Sequence, residues 1–168
     1  LDCAIRVGVE VDPATVSVLL AEVPRSVVAS PALLARFPAV NTPEDLQQFP
    51  WIAISSFYQR HVELFHDATS ATARIAITPR LSTDSLYVAR NTALTGLGVA
   101  VVSSWTVQDD IREGRLVHLL PEWQPAALPV HLVYPWSRYY PARLRRFLEL
   151  MRQVMPEVTG MRKPVQQP

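Results

Sequence analysis

The sequence predicts an α/β fold with a mostly parallel sheet covered by helices on both faces. Strand-like and helix-like segments alternate along the chain, which is the order expected for this class. The strand-like segments are short continuous apolar runs, such as residues 99–102, rather than strict alternations of apolar and polar residues. With 168 residues, 49% of them hydrophobic, the chain is long enough to form one ordinary domain or two small lobes.

Apolar runs and turn residues place the strands. Two short runs separated by the turn-rich stretch 67–72 predict a β-hairpin, and Gly98 precedes the most apolar run of all. The predicted strands are residues 1–9, 26–29, 51–54, 62–65, 73–78, 99–102, 116–120 and 130–134.

Capping residues place the helices. Ser30-Pro31 and Thr42-Pro43 are N-cap and first-turn pairs, and they predict helices from residue 32 to 37 and after residue 43. The cluster 82–85 caps a third helix that ends at Gly96. A fourth helix spans 105–112 and ends at Gly114. The last helix begins near Pro141. The apolar stripes predicted for the third and last helices are Leu86, Ala89, Ala93 and Leu97, and Leu144, Phe147, Leu148 and Met151.

Composition excludes several classes of protein. The 16 basic and 15 acidic residues give a formal net charge of +1, whereas a dedicated nucleic-acid binder is strongly basic. A single cysteine, Cys3, excludes an internal disulfide and a cysteine-rich zinc site, and it fits a reducing compartment. No apolar run approaches the ~20 residues that a membrane helix needs. We therefore expect a cytoplasmic protein without a membrane partner.

Hydroxyl residues follow four of the predicted strands. Because ligands of open α/β sheets bind beyond the carboxyl ends of strands, such residues indicate a pocket that offers hydrogen-bond donors to a small anion. The alternative is that each hydroxyl only caps a helix, which is its most common role. The residues concerned are Ser30, Ser55, Ser56, Ser82, Thr83, Ser103 and Ser104.

Catalytic and metal-binding patterns are weak. The sequence contains no nucleophile elbow, Walker loop or dinucleotide-binding glycine motif. His61 and His66 flank a strand of the hairpin, but only Glu63 and Asp67 accompany them, which is a poor ligand set for a metal. Cys3 lacks a partner that could act as a base. We expect no catalytic residue, no metal and no cofactor.

Six sequence segments follow one another in a fixed order and at ordinary spacing. They are DCAIRVG at 2–8, VVASPALLA at 27–35, TPEDL at 42–46, GLGVAVV at 96–102, GRLV at 114–117 and PVHLVYP at 129–135. Together they resemble the effector-binding domain of LysR-type transcriptional regulators, and the resemblance covers roughly residues 1–152.

This resemblance implies a fold of two Rossmann-like lobes, similar to type 2 periplasmic binding proteins. The end lobe would hold residues 1–24 and 129–156, the central lobe 25–128, and residues 157–168 would be a flexible tail. The chain opens in the middle of a strand, so we expect an N-terminally truncated fragment with an incomplete first lobe. The family usually has a proline after the strand that follows Gly98, where this chain has Ser104.

The function implied by the resemblance is effector sensing. A small, anionic molecule would bind between the lobes and modulate DNA binding, which the full protein performs through a missing N-terminal helix-turn-helix domain. Homodimers or homotetramers are implied as well. The expected ligand contacts are Ser30, Ser55, Ser56, Thr83 and Ser104, with Arg6 near the crossover strand. Two alternatives remain: a solute-binding protein of a transport system, and a small α/β enzyme with a histidine base.

Overall fold

The computed structural model describes residues 3–8, 12–54 and 60–165. The chain divides into two compact units. Unit 1 comprises Leu1–Pro24 and Ala127–Pro168, and unit 2 comprises Arg25–Ala126.

Strands and helices alternate through much of the chain, as the sequence predicts. The strands are β1 (Ala4–Val7), β2 (Thr15–Val23), β3 (Arg25–Ala29), β4 (Trp51–Ile54), β5 (His61–His66), β6 (Thr72–Ala76), β7 (Pro79–Thr83), β8 (Val99–Ser103), β9 (Val117–His118), β10 (Trp123–Pro125) and β11 (Leu128–Pro135). The α-helices are α1 (Pro31–Leu34), α2 (Leu86–Leu94), α3 (Gln108–Arg112) and α4 (Ala142–Val154). Three 3₁₀ turns span Pro43–Gln48, Ser104–Thr106 and Met155–Glu157.

Unit 1 is built on a three-stranded antiparallel sheet in the order β1-β11-β2. Helix α4 packs on it through Leu144, Leu148 and Met151, three of the four residues of the predicted stripe. The fourth, Phe147, is 36% exposed, so its predicted burial is wrong. Beyond α4, the backbone of Arg162 exchanges two hydrogen bonds with Glu22 of β2, at 2.9 and 3.0 Å. The described part of the C-terminal segment is thereby attached to the sheet.

Unit 2 contains a five-stranded sheet in the order β7-β4-β8-β3-β9. Strand β4 runs parallel to β7 and β8, whereas β3 runs antiparallel to β8 and β9. The other strand pairs described are antiparallel, so the prediction of a mostly parallel sheet is wrong. A strand buried on both faces is an apolar run whichever way it points, so the sequence pattern carries no information about strand direction.

Both faces of the five-stranded sheet are buried, as the continuous apolar runs predict. One face packs on the helix α2 through Ala89 and Ala93, whose small side chains allow close approach. The other face packs on a second antiparallel sheet, β10-β5-β6, and not on helices alone. That sheet contains the predicted hairpin of β5 and β6, which is confirmed.

Helix ends follow the predicted caps. The Ser30 hydroxyl accepts a hydrogen bond from the Leu33 amide at 3.2 Å, although the helix it caps ends at Leu34 and not at residue 37. Asp45 accepts hydrogen bonds from the Asn41 and Thr42 amides at 2.8 Å each, which fixes the entry to the first 3₁₀ turn. These caps set where the chain leaves each strand.

Candidate functional site

Three parallel strands of unit 2 finish at one edge of the five-stranded sheet. Thr83 at the end of β7 lies level with Ile54 at the end of β4, and β8 ends beside them at Ser103. Because β3 is antiparallel, its first residue, Arg25, pairs with Ser103 at the same edge. We call this the carboxyl edge. Residues from four strands that are far apart in sequence therefore share this edge of the sheet.

Two serines meet at the carboxyl edge. The Ser104 hydroxyl lies 2.7 Å from the hydroxyl of Ser26, the second residue of β3. Ser26 is buried and Ser104 is half-buried, since Ser104 opens the 3₁₀ turn that leaves β8. Ser104 is a predicted site residue, whereas Ser26 was missed. No sequence signal marks Ser26, because its place at this edge depends on the reversed direction of β3.

Thr83 occupies the same edge in a half-buried position. Its hydroxyl oxygen accepts a hydrogen bond from the Ser85 amide at 3.1 Å. Ser85, in turn, caps α2 by accepting a hydrogen bond from the Val88 amide at 3.4 Å. Within the predicted capping cluster 82–85, Ser85 is therefore the cap, and Thr83 is the strand end that faces the start of a nine-residue helix.

Ser30 lies at the opposite edge of the sheet, so the structure does not bring it together with Thr83 and Ser104. The reason is again strand direction: β3 ends where β8 begins. Gly96 precedes β8 in a left-handed conformation, and a Cβ atom on it would lie 3.2 Å from the Ser30 hydroxyl. Ser30 is buried there as a helix cap, which is the alternative role weighed for it above.

The remaining predicted contacts fall elsewhere. Ser55 and Ser56 lie outside the described residues. Arg6 belongs to unit 1, where it sits exposed on β1 opposite His131 of β11. Two of the predicted residues, Thr83 and Ser104, thus lie at the same edge of the sheet in unit 2, with β4 between β7 and β8.

A cavity of about 420 Å³ opens beside the Ser26–Ser104 pair, and we call it the His118 pocket. His118 lies on β9, where it pairs with Val28 of β3. Its Nε2 atom is buried and has no hydrogen-bond partner among the described residues. Burial lowers the pKa of His118, and the charge of Glu122 opposes this only in part, so the environment favours the neutral imidazole. The lining residues are Ser26, Ser104, Gln108, Ile111, Arg112, His118 and Gln124.

One wall of the His118 pocket is α3, which a buried ion cluster holds in place. Asp110 on α3 is fully buried and accepts hydrogen bonds from Arg90 of α2 at 2.6 and 2.8 Å, and from Arg115 at 2.8 and 3.0 Å. Burial by itself raises the pKa of Asp110, but the hydrogen bonds and charges of the two arginines outweigh it and lower the pKa. Asp110 is therefore a carboxylate that ties three segments together.

Within 3–8, 12–54 and 60–165, no group of three or more His, Cys, Asp or Glu side chains could hold a metal ion. None of the helices described is long and apolar enough to cross a membrane.

Comparison with known proteins finds a matching family model and similar transcriptional regulators. The family model described as the LysR substrate binding domain matches residues 1–156. The transcriptional regulator PtxR of Pseudomonas aeruginosa is 31% identical over 153 residues, which cover 91% of this chain and 49% of PtxR. A transcriptional repressor of P. aeruginosa strain UCBPP-PA14 is 30% identical over 159 residues, covering 94% of this chain and 50% of the repressor. The chain spans about half the length of these relatives.

Solved structures with the same fold are regulatory domains. The regulatory domain of CrgA, a LysR-type transcriptional regulator from Neisseria meningitidis, is 28% identical with a TM-score of 0.65, over 92% of this chain and 75% of that one. The regulatory domain of an AphB variant from Vibrio vulnificus is 22% identical with a TM-score of 0.73, over 90% of this chain and 76% of that one.

Proposed function

Because the chain belongs to the family of LysR substrate-binding domains, we propose that it is the effector-sensing domain of a bacterial LysR-type transcriptional regulator. The predicted family and its two-lobed, periplasmic-binding-protein-like α/β fold class are confirmed by the family match and the regulatory-domain structures. The relatives are transcriptional regulators, which are not enzymes, and this confirms the prediction of a non-enzymatic domain.

The ligand of this domain is a small acid that binds at the carboxyl edge of unit 2. The observation that carries this proposal is the contact between the Ser104 and Ser26 hydroxyls, 2.7 Å apart at that edge, with Thr83 at the same edge on β7, beyond the intervening strand β4. Hydroxyl groups donate to a carboxylate without adding charge, and the N-terminus of α2 adds a positive dipole end next to Thr83. Asp84 is the carboxylate beside Thr83, and it is solvent-exposed, so salt screens its charge.

Sensing works by a shift of population. An effector changes the regulator only if it binds one arrangement of the lobes, residues 1–24 with 129–156 and residues 25–128, more tightly than another. DNA is then contacted by a helix-turn-helix domain outside this chain, in a homodimer or homotetramer in the cytoplasm. The net charge of +1 supports this division of labour, because phosphate binding by this portion would require a basic surface.

The transport alternative, a solute-binding protein, has the same fold class. The relatives of this chain favour the regulator, since they are described as transcriptional regulators and repressors. The carboxyl-edge site serves either function, so binding measurements alone do not separate the two. A promoter-binding assay of the longer protein with and without ligand does.

Replacing both Thr83 and Ser104 with alanine is expected to weaken the binding of a carboxylate about tenfold or more. Each lost hydrogen bond to a charged group contributes about 1.5–3 kcal/mol. The measurement is calorimetric titration of the chain with benzoate and with succinate. Thr83→Ser keeps the hydroxyl and is expected to bind as the unaltered chain does.

Two hydroxyls at the opposite edge provide matched controls. Thr95→Ala removes a hydroxyl that donates to the Thr92 carbonyl at 2.7 Å, and Ser30→Ala removes a helix cap at a cost of about 1 kcal/mol of stability. Neither change is expected to alter the affinity. If Ser30→Ala weakens binding and the double variant does not, the assignment of the site to the carboxyl edge is wrong.

A further inference from the structure

The His118 pocket is rich in side chains that can form hydrogen bonds. It combines a buried hydroxyl pair, two carboxamides and an imidazole in one cavity of about 420 Å³. On the basis of the function proposed above, we propose that this pocket binds the carboxylate of the effector between His118 and the Ser26–Ser104 pair, and that a proton is taken up by His118 on binding.

The hydrogen bonding of the His118 imidazole is incomplete among the described residues. Nε2 of His118 is buried and unpartnered among the described residues, and buried polar atoms in native proteins are nearly always hydrogen-bonded. The lining residues of the pocket offer it nothing within hydrogen-bonding distance. A group that enters the cavity, a ligand oxygen or a water molecule, therefore completes the hydrogen bonding of His118.

The charges around His118 favour an anion in that position. No carboxylate is among the residues that line the described pocket. Arg112 from α3 lines it, paired with Asp109 at 2.6 Å where both side chains are largely exposed. Arg25 of β3 donates to the Ala126 carbonyl at 2.8 Å, and Glu122 acts on His118 from the turn before β10. A ligand carboxylate would supply the negative charge that the cavity wall lacks.

Proton uptake follows from the chemistry of this contact. In the free protein, burial opposes the charged form of the imidazole and favours the neutral one. A carboxylate next to Nε2 favours the imidazolium, so one proton from solvent joins the neutral imidazole and the ligand anion to give a neutral ion pair. Binding therefore strengthens as the pH falls, by up to about tenfold per pH unit between the pKa values of the free and bound states.

The test is calorimetric titration of the chain with benzoate and with succinate at about pH 6 and about pH 8, in buffers of different ionisation enthalpy. We expect tighter binding at the lower pH and the uptake of about one proton. His118→Gln is expected to abolish both effects, whereas His131→Gln, on β11 of unit 1, is expected to keep them. The ¹⁵N shift of His118 Nε2 in the unaltered chain is expected to move toward its imidazolium value on ligand addition, which removes any dependence on the folding of the variant.

The other possible outcomes contradict either the role of His118 or the carboxyl-edge site. Carboxylate binding that weakens in the Thr83 and Ser104 double variant but takes up no proton overturns the role of His118 and leaves the proposed function standing. If the His118→Gln variant keeps the pH dependence of binding, the proposed coupling of binding to protonation of His118 is also wrong. If neither benzoate nor succinate binds, both the coupling and the carboxyl-edge site are wrong.

Discussion

Replacing Asp110 with asparagine is expected to lower the free energy of unfolding of unit 2 by about 3 kcal/mol. The carboxylate is fully buried between Arg90 and Arg115, and removing its charge leaves Arg90 without its counterion, whereas Arg115 keeps its ion pair with Glu113. The arginine side chains are 27% and 48% exposed, so solvent compensates in part, and the loss falls at the low end of the range for broken buried ion pairs. Urea unfolding followed by amide hydrogen exchange in the five-stranded sheet measures it.

The neighbouring Asp109 provides the control. It pairs with Arg112 on the same helix, but both side chains are more than two-thirds exposed, so Asp109→Asn is expected to cost less than about 0.5 kcal/mol. Equal losses for the two variants would contradict a special role for Asp110. Because the pKa of Asp110 is lowered in the folded protein, its contribution is present above the ordinary aspartate pKa of about 3.9 and is lost as the pH falls below it.

Replacing Trp51 with alanine is expected to destabilise unit 2 by about 3–5 kcal/mol. Trp51 begins β4, is 1% exposed and packs in the core between the five-stranded sheet and the hairpin sheet. Its indole N–H also donates to the Leu46 carbonyl at 2.9 Å. Alanine would leave a large cavity and remove one of two donors to the Leu46 carbonyl, which keeps the Phe49 amide at 3.3 Å. Chemical denaturation with a probe in each unit measures the loss.

Two further variants separate packing from hydrogen bonding at Trp51. Trp51→Phe keeps most of the apolar volume and removes the donor, so a loss of about 1–3 kcal/mol is expected. Trp105→Ala, at a position 40% exposed, is expected to cost much less than Trp51→Ala. A Trp51→Ala protein as stable as the Trp105→Ala protein would show that the described core does not support unit 2.

The sequence patterns that predicted elements correctly are local ones. The hairpin of β5 and β6 alternates buried and exposed residues, and β8 is a continuous apolar run next to glycines. The strands β7 and β10 were missed because their residues are mixed in polarity, so neither pattern marks them, whereas β2 was missed although residues 18–21 form a continuous apolar run. The family and fold class were predicted correctly because six landmarks in order are far more specific than any one of them.

The candidate site shows which residues local sequence patterns can and cannot predict. Ser104 could be predicted because it directly follows an apolar strand, and Thr83 because it belongs to the cluster of hydroxyl residues before α2. Ser30 looks the same in sequence, yet the reversed direction of β3 moves it to the other edge and brings Ser26 in its place. His118 gave no signal, since its burial depends on the pairing of β9 with β3. Strand direction and pairing are set by contacts between distant residues.

A ligand site at the carboxyl edge of unit 2 can be located by mapping backbone amide chemical shifts during titration with benzoate. The expected result is a saturable set of shifts at Thr83, Ser104, Ser26 and His118, with Ser30 and Gly96 unchanged. Shifts concentrated at Ser30 and Gly96, or confined to unit 1, would contradict it.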